Sequence, residues 1–363
     1  MKACIIDSFC GCMLNSFDSQ LFAKFFEANG YSIIDDSSDA DVVLVNTCAF
    51  VKNVEDKVVD KIKELVAERK EGQRIIVTGC FPKINEGRLK EIFSGDYFGP
   101  REKEKINDIL DAKVGIDEIS INKVGKEYCN GAPSDRCYIK IADGCLGGCS
   151  FCSIKKAKGG LKSREVRVVV KEFKKGLSEG FKEFVLLGDD IGCYGKDIGS
   201  DISVLLRELV GFDCDYKIYL HFFEPKWFVE QFEGLLNVFK TGKIGFLNIP
   251  IQSGSDRILG LMNRQYKIDE VIDKVKILHR EVPEVVIQTH ILFGFPGETA
   301  EEFELSLAKA KEFDFAKFFC YSERPGTAAL RLEGDVSEEE KKRRGEIVDK
   351  NAKEEGHNWV LTQ

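Results

Sequence analysis

The stretch GCLGGCSFC sets three thiols, Cys145, Cys149 and Cys152, at CxxxCxxC spacing on one glycine-rich loop. Three thiolates so placed can each hold one iron of a cubane [4Fe–4S] cluster and leave the fourth iron without a protein ligand. That vacancy is the functional feature, because an amino-acid amine and carboxylate can chelate the open iron. Gly144, Gly147 and Gly148 let backbone N–H groups approach the cluster sulfurs, and Phe151 offers an apolar wall beside the open iron. The four histidines, His221, His279, His290 and His357, include no HxxH or HxxxH pair, so zinc hydrolysis has no support. With thirteen cysteines in the chain, iron held by thiolates leads.

Three further cysteines, Cys12, Cys48 and Cys80, each follow an apolar run: residues 2–9, VVLVN at 42–46 and IIVTG at 75–79. Apolar strands separated by the helical patterns of residues 17–29 and 51–69 predict a parallel sheet covered on both faces. Loops leaving the C-terminal ends of such strands gather on one edge, where open α/β sheets place ligands. Three cysteines at equivalent positions thus converge as ligands, against the alternative of three buried small hydrophobes.

A second βα series follows, with strands expected at 137–141, 183–187, 216–222, 244–249, 285–291 and 316–321, and helices at 167–179, 202–209, 225–239, 267–280 and 300–311. Six parallel strands without a clear seventh and eighth unit make a partial (βα)6 barrel. The expected organisation is a small N-terminal parallel-sheet α/β domain (1–95), a connector (96–132), the barrel (133–332) and a charged C-terminal helix and tail (333–363) opened by a Ser337 cap. No run reaches the roughly 20 apolar residues of a bilayer span, and the N-terminus lacks a secretory pattern, so a cytoplasmic protein with no membrane partner is expected. A net charge of −8 gives no support to a general nucleic-acid binder, although residues 155–175 are rich in Lys and Arg.

The CxxxCxxC loop, directly after a strand at the start of a βα series, resembles that of the radical S-adenosylmethionine (SAM) superfamily. The whole chain is similar to the methylthiotransferases of that superfamily through GCMLNSFDSQ (11–20), ADVVLVNTCAF (40–50), VTGC (77–80), GCLGGCSFCSIKKAKGGLKSR (144–164), IPIQSGSDRILGLMNRQY (249–266), GFPGET (294–299) and YSERPGTAA (321–329). AKGGLKS and YGKDIGSD (194–201) look most similar to the archaeal and eukaryotic branch, whose members modify N6-threonylcarbamoyladenosine in tRNA.

The resemblance implies that a C–H bond of the acceptor becomes C–S–CH3, with SAM and two [4Fe–4S] clusters as cofactors. Cys145, Cys149 and Cys152 would hold the cluster that cleaves SAM to a 5′-deoxyadenosyl radical, and Cys12, Cys48 and Cys80 an auxiliary cluster carrying the sulfur. Both open irons would face a common cavity. The implied partners are a reductant such as flavodoxin or ferredoxin, a sulfur donor and tRNA, or else a peptide or small metabolite as acceptor. Sulfur insertion without the methyl group is a second enzymatic reading, and a non-catalytic iron–sulfur scaffold is the alternative of a different class.

Ser253, Gly254 and Ser255, and Gly294, Phe295, Pro296 and Gly297, follow barrel strands and either approach SAM or form tight turns. Arg264 either positions a carboxylate or phosphate or is an exposed helical arginine, and Asn15, Asp18 and Ser19 either begin or cap the first helix or contact substrate or cluster. Relatives commonly carry Gln then Asp or Asn after the second barrel strand, where this chain has Asp189 and Asp190, the candidate catalytic pair. Cys10, two residues before Cys12, reads as a buried filler, a spare thiol or a sulfur relay. Family members acting on tRNA generally end in a small β-rich TRAM domain, which would begin where this sequence stops, at Gln363.

Overall fold

The computed structural model describes residues 1–7, 9, 11–121, 136–354 and 356–362. Cys10 and residues 122–132 of the expected connector lie outside the described residues. The chain divides into two compact units: Met1–Tyr138 with Ser153–Gly159 and Arg324–Gly326, and Ile139–Cys152 with Gly160–Glu323 and Thr327–Gln363.

In the first unit the strands are β1 (Lys2–Ile6), β2 (Ser32–Ile33), β3 (Val42–Thr47), β4 (Arg74–Gly79) and β5 (Asp96–Tyr97), in the parallel order β2-β1-β3-β4-β5. Helices α1 (Met13–Ala28), α2 (Lys52–Ala67), α3 (Phe81–Ile84), α4 (Glu86–Ile92) and α5 (Lys105–Ile109) connect and cover them. Alternation along the strands decides the packing. Val43, Val45, Ile75 and Val77 pack with Val58, Val59 and Ile62 of α2, whereas Val42, Leu44 and Ile76 pack with Phe22, Phe25 and Phe26 of α1. Residues 42–45 of β3 and 75–77 of β4 are therefore apolar without alternation, because both faces of these strands are covered. Helix α6 (Ile154–Lys158) also belongs to this unit, with Ile154 and Ala157 on the α2 side of the core.

The second unit is built on seven parallel strands in sequential order, β6-β9-β10-β11-β12-β13-β14: β6 (Arg136–Lys140), β9 (Glu183–Leu187), β10 (Lys217–Leu220), β11 (Ile244–Asn248), β12 (Val286–Phe293), β13 (Phe315–Cys320) and β14 (Trp359–Thr362). A short antiparallel pair, β7 (Ala142–Asp143) with β8 (Lys162–Ser163), follows β6. The helices are α7 (Val166–Ser178), α8 (Ile202–Val210), α9 (Pro225–Glu230), α10 (Phe232–Phe239), α11 (Asp256–Leu261), α12 (Ile268–Glu281), α13 (Ala300–Ala310) and α14 (Glu338–Glu354). Strands laid down in sequence order with right-handed crossovers put every connecting helix on one face and leave the other concave, which is the partial barrel.

Three local readings change. The helix expected over 225–239 is two helices broken at Gln231, whose side chain turns aside to donate to the Gly192 carbonyl at 3.1 Å. The tail becomes a seventh strand, with Trp359 paired to Ala316 and its ring tilted against that of Phe318, 5.1 Å between centroids. In the charged helix α14, Ser337 accepts the Glu340 N–H as a cap, yet Arg344 and Val348 are buried, so one face of this charged run packs inward. Among the described residues, no helix is long and apolar enough to cross a membrane.

Candidate active site

The loop bearing Cys145, Cys149 and Cys152 leaves the start of the barrel and is pinned by five hydrogen bonds. Gly144, at φ 70°, donates its N–H to the Asp189 carboxylate at 2.7 Å just beyond β9. Asn263, the second residue after α11, donates to the Gly148 carbonyl at 2.7 Å. Ser150 donates its hydroxyl to Leu261 O at 2.8 Å and its N–H to Met262 O at 3.0 Å, and its own carbonyl accepts from Ala329 N at 2.8 Å. A methyl group on Gly147 would stand 3.6 Å from the Cys145 sulfur and 3.8 Å from the Cys149 sulfur, so both sulfurs lie beside this glycine. All three thiols are half-buried. Burial, and after it the charge of Asp190, push the Cys145 thiol up to about 12; only a metal would hold it as thiolate at neutral pH.

Around this loop the structure gathers several of the residues singled out in the sequence. Phe151 meets Phe295 edge-on at 6.4 Å, and Phe295 meets Tyr321 at 5.2 Å, joining the cysteine loop to the turn after β12. Arg264 lies 6.0 Å above the Phe151 ring and donates to Glu224 at 2.9 Å. Its side chain is only 6% exposed, so it is no surface arginine, and its Nε is cut off from solvent without a hydrogen-bond partner. Asp190 accepts from Gly192 N at 3.0 Å, Glu224 N at 3.2 Å and the Trp227 indole at 3.0 Å. Burial pushes its carboxyl up to about 6, with the neighbouring Glu224 charge adding to it. Asp189 thus anchors the loop, while Asp190 braces the ends of β9 and β10.

The other glycine- and serine-rich segments have internal partners. Gly254 N donates to Ser306 Oγ at 2.8 Å, and a methyl group there would press on the Leu305 carbonyl at 2.4 Å, so α13 packs directly on this turn. Ser253 sits 3.4 Å from the same Ser306 hydroxyl, and Ser255 caps α11 and donates to Glu302 at 2.7 Å. Gly294 and Gly297 take φ values of 73° and 81°, with Pro296 buried between them. Gly294 N donates to Glu298 at 2.6 Å, and Glu298 pairs with Arg344 of α14 at 2.6 Å. Neither Glu224, Glu298 nor Arg344 stood out in the sequence, where each looks like an ordinary charged residue.

In the first unit, Cys12 precedes α1, Cys48 follows β3 and Cys80 follows β4. β3 and β4 are register partners up to Thr47 and Gly79, and Cys80 N donates to Thr47 O at 3.0 Å, so Cys48 and Cys80 leave adjacent strand ends. Gly79 (φ 92°) explains how: a methyl group there would lie 2.2 Å from Thr47 O. Asn15 Nδ2 donates to Asn46 O at 3.2 Å and Asn46 Nδ2 to Asn15 O at 2.9 Å, stapling the start of α1 to the end of β3. Asn15 lies in the first turn of α1 and Asp18 and Ser19 in the second, all three buried, and Cys12 rather than any of them takes the N-cap position. Asp18 pairs with Lys103 and Lys158, and Ser19 accepts from Asn46 at 2.8 Å. The basic segment 155–175 runs through α6 of the first unit and β8 and α7 of the second, and Lys158 is buried.

Among the described residues, no three His, Cys, Asp or Glu side chains stand close enough to share one metal ion. A cubane does not ask for that, since each of its thiolates binds a different iron. The all-thiol donor sets fit an iron–sulfur cluster better than a mononuclear ion.

A partial parallel barrel with a CxxxCxxC loop at its first turn is the arrangement of a radical SAM enzyme. Residues 139–310 match the model of the Radical SAM superfamily, and residues 4–98 that of the Uncharacterized protein family UPF0004. The radical S-adenosylmethionine methyltransferase TsrM of Kitasatospora setae, solved with cobalamin and a [4Fe–4S] cluster bound, shares this fold with a TM-score of 0.65 at 14% identity, over 97% of this chain and 79% of its own. The threonylcarbamoyladenosine tRNA methylthiotransferase MtaB of Thermotoga maritima is 34% identical over 98% of this chain and 82% of its own length. A probable threonylcarbamoyladenosine tRNA methylthiotransferase of Methanocaldococcus jannaschii is 32% identical over 95% and 81%. The chain belongs to the radical SAM methylthiotransferase family.

Proposed function

We propose that this enzyme converts a C–H bond of N6-threonylcarbamoyladenosine in tRNA to C–S–CH3, with SAM and two [4Fe–4S] clusters. The likeness over nearly the whole chain to the two tRNA enzymes carries the reading. Cys145, Cys149 and Cys152 hold the cluster of the barrel loop, and Cys12, Cys48 and Cys80 hold the second, at the ends of β3 and β4 and the start of α1. When bound, the first cluster supplies the electron that cleaves SAM to a hydrogen-abstracting radical, and the second carries the sulfur.

The protein's own part is placement. Asp189 fixes the loop through Gly144, and Phe151 and Phe295 keep water from its apolar side. Arg264, held by Glu224 and with Nε unsatisfied, takes the carboxylate of the cofactor's amino-acid end. Ser253, Gly254, Ser255, Gly294, Pro296 and Gly297 offer the cofactor backbone rather than side chains, because their hydroxyls and turns are engaged internally. A reductant of the flavodoxin or ferredoxin kind and a sulfur donor complete the cycle.

The test is anaerobic incubation of the reconstituted enzyme with reductant, sulfide, methyl-labelled SAM and tRNA containing N6-threonylcarbamoyladenosine, followed by nucleoside mass analysis. A label-bearing methylthio nucleoside is expected. SAM cleavage with no labelled nucleoside would overturn the acceptor, and no cleavage at all would overturn the chemistry.

A further inference from the structure

The concave face of the barrel sheet is as distinctive as its cysteine loop. Along β10 and beyond, Ile218 and Leu220 are fully buried toward the helices, whereas Tyr219 and His221 are half-buried on the other face. The same alternation runs along β13, with Ala316 and Phe318 fully buried and Lys317 and Phe319 half-buried. A barrel interior filled only for packing would carry branched apolar side chains here. This one carries rings and titratable groups.

Two of those groups lack the partners their chemistry requires. Lys317 is register partner to His290 across β12 and β13, which puts both on the concave face. Burial lowers the Lys317 pKa, no acidic neighbour offsets that, and among the described residues its side chain has neither an ion pair nor a hydrogen bond. The Nε2 of His290 is shut off from solvent and equally unpartnered. Burial first, then the charges of Lys317 and His221, push His290 down to about 3, so it is a neutral imidazole at physiological pH. An unpaired ammonium beside an unpaired imidazole is costly to hold inside a fold unless a ligand completes it.

The surroundings say what kind of ligand. The His290 ring lies 5.2 Å from Phe319 and 5.9 Å from Phe222, and His221 lies 4.8 Å from Phe246. Phe222 adopts φ 58°, a strained conformation for a residue with a β-carbon, braced by the Asn248 side chain accepting its N–H at 3.3 Å. The strain turns the chain sharply just after β10.

We propose that this face is the acceptor subsite: Lys317 is the counter-ion of an acceptor carboxylate, His290 its neutral hydrogen-bond partner, and Phe222, Phe246 and Phe319 the wall on which a flat heterocycle lies. The ligand class is a nucleoside bearing a carboxylate. This rests on the function proposed above and adds which residues read the acceptor; Lys317 and His290 are positioning residues that touch no reacting atom.

The experiment measures binding to the cluster-loaded full chain by calorimetry under anaerobic conditions. The probes are the free nucleoside N6-threonylcarbamoyladenosine, its methyl ester, in which the carboxylate charge is removed, and an N-acetyl-aspartyl amide. The wild type should bind the acid about tenfold more tightly than the ester, the scale of one charge-assisted contact. Lys317→Met should erase that preference without changing affinity for SAM, Lys317→Arg should restore part of it, and His290→Phe should weaken both nucleosides. Unchanged thermal midpoints establish that the variants fold. Equal binding of acid and ester by the wild type, an intact preference in K317M, or tighter binding of the aspartyl amide than of the nucleoside would overturn the proposal. A loss of SAM affinity in K317M would overturn it too, by assigning the lysine to the cofactor. A lysine-dependent preference for the acid without methylthiolated tRNA would instead strike the proposed chemistry and leave the subsite standing.

Discussion

Gly79 and Arg264 show how a single side chain, or its absence, shapes each cysteine site. At Gly79 a positive φ and a carbonyl at 2.2 Å from any added methyl exclude every other residue. Gly79→Ala is expected to destabilise the first unit by at least about 1–3 kcal/mol, read as a lower thermal midpoint, and to lower iron bound at Cys12, Cys48 and Cys80 while iron at the barrel loop is kept. Arg264→Met is expected to raise the KM for SAM about tenfold or more, the scale of a lost charge-assisted contact, with the iron content unchanged. An equal fall in iron would mean that the arginine supports the loop instead. Glu102 gives a pH signature. A hydrogen bond from Lys83, and after it one from Gly99 N–H, hold its carboxyl down to about 2 from 4.5. A depressed carboxylate stabilises the fold above its unfolded pKa and loses that contribution as pH falls through its folded one. Between pH 4.5 and 2, Glu102→Gln should therefore lose stability less steeply than the wild type in acid-unfolding curves.

At the scale of elements, the tie between the turn after β12 and helix α14 stands out. Glu298 and Arg344 are almost wholly buried and 2.6 Å apart, with the Gly294 N–H on the same carboxylate. Removing one partner of such a pair leaves an uncompensated buried charge, and Arg344→Met should cost about 3–5 kcal/mol in chemical denaturation. The double variant Glu298→Gln with Arg344→Met should recover much of that, because the charge goes with its partner. Non-additivity of this kind would place α14 and the turn in one cooperative element. Simple addition would mean that the two carry separate loads. The same scale explains the cysteine loop: five hydrogen bonds, to the segments at the ends of β9 and α11 and at Ala329, fix a loop too rich in glycine to hold its own shape.

For the whole molecule, the two cysteine sets should titrate independently. Reconstituted wild type is expected to carry about eight irons, and replacing either Cys145, Cys149 and Cys152 or Cys12, Cys48 and Cys80 by Ala should leave about four. A wild type with about four, unaffected by loss of the second set, would remove the auxiliary cluster. Much of this was open to sequence reading, since apolar strand runs and cysteine spacing are local patterns. β9 falls on its expected residues, and β3 and β4 differ from theirs by one residue at one end. The strand β14 was not legible, because four residues after a charged helix carry no periodicity of their own and become a strand only by pairing with β13. Nor was the character of Arg264, Glu298 or Lys317, since a charge reads the same in one dimension whether it is solvated, paired or enclosed. The sequence by itself determined the spacing of the thiols and the order of the βα units, because both depend on residue type and position along the chain. Only the tertiary structure decided which charges lie buried and which of them go unpaired, because burial and pairing are properties of residues brought together from distant parts of the chain.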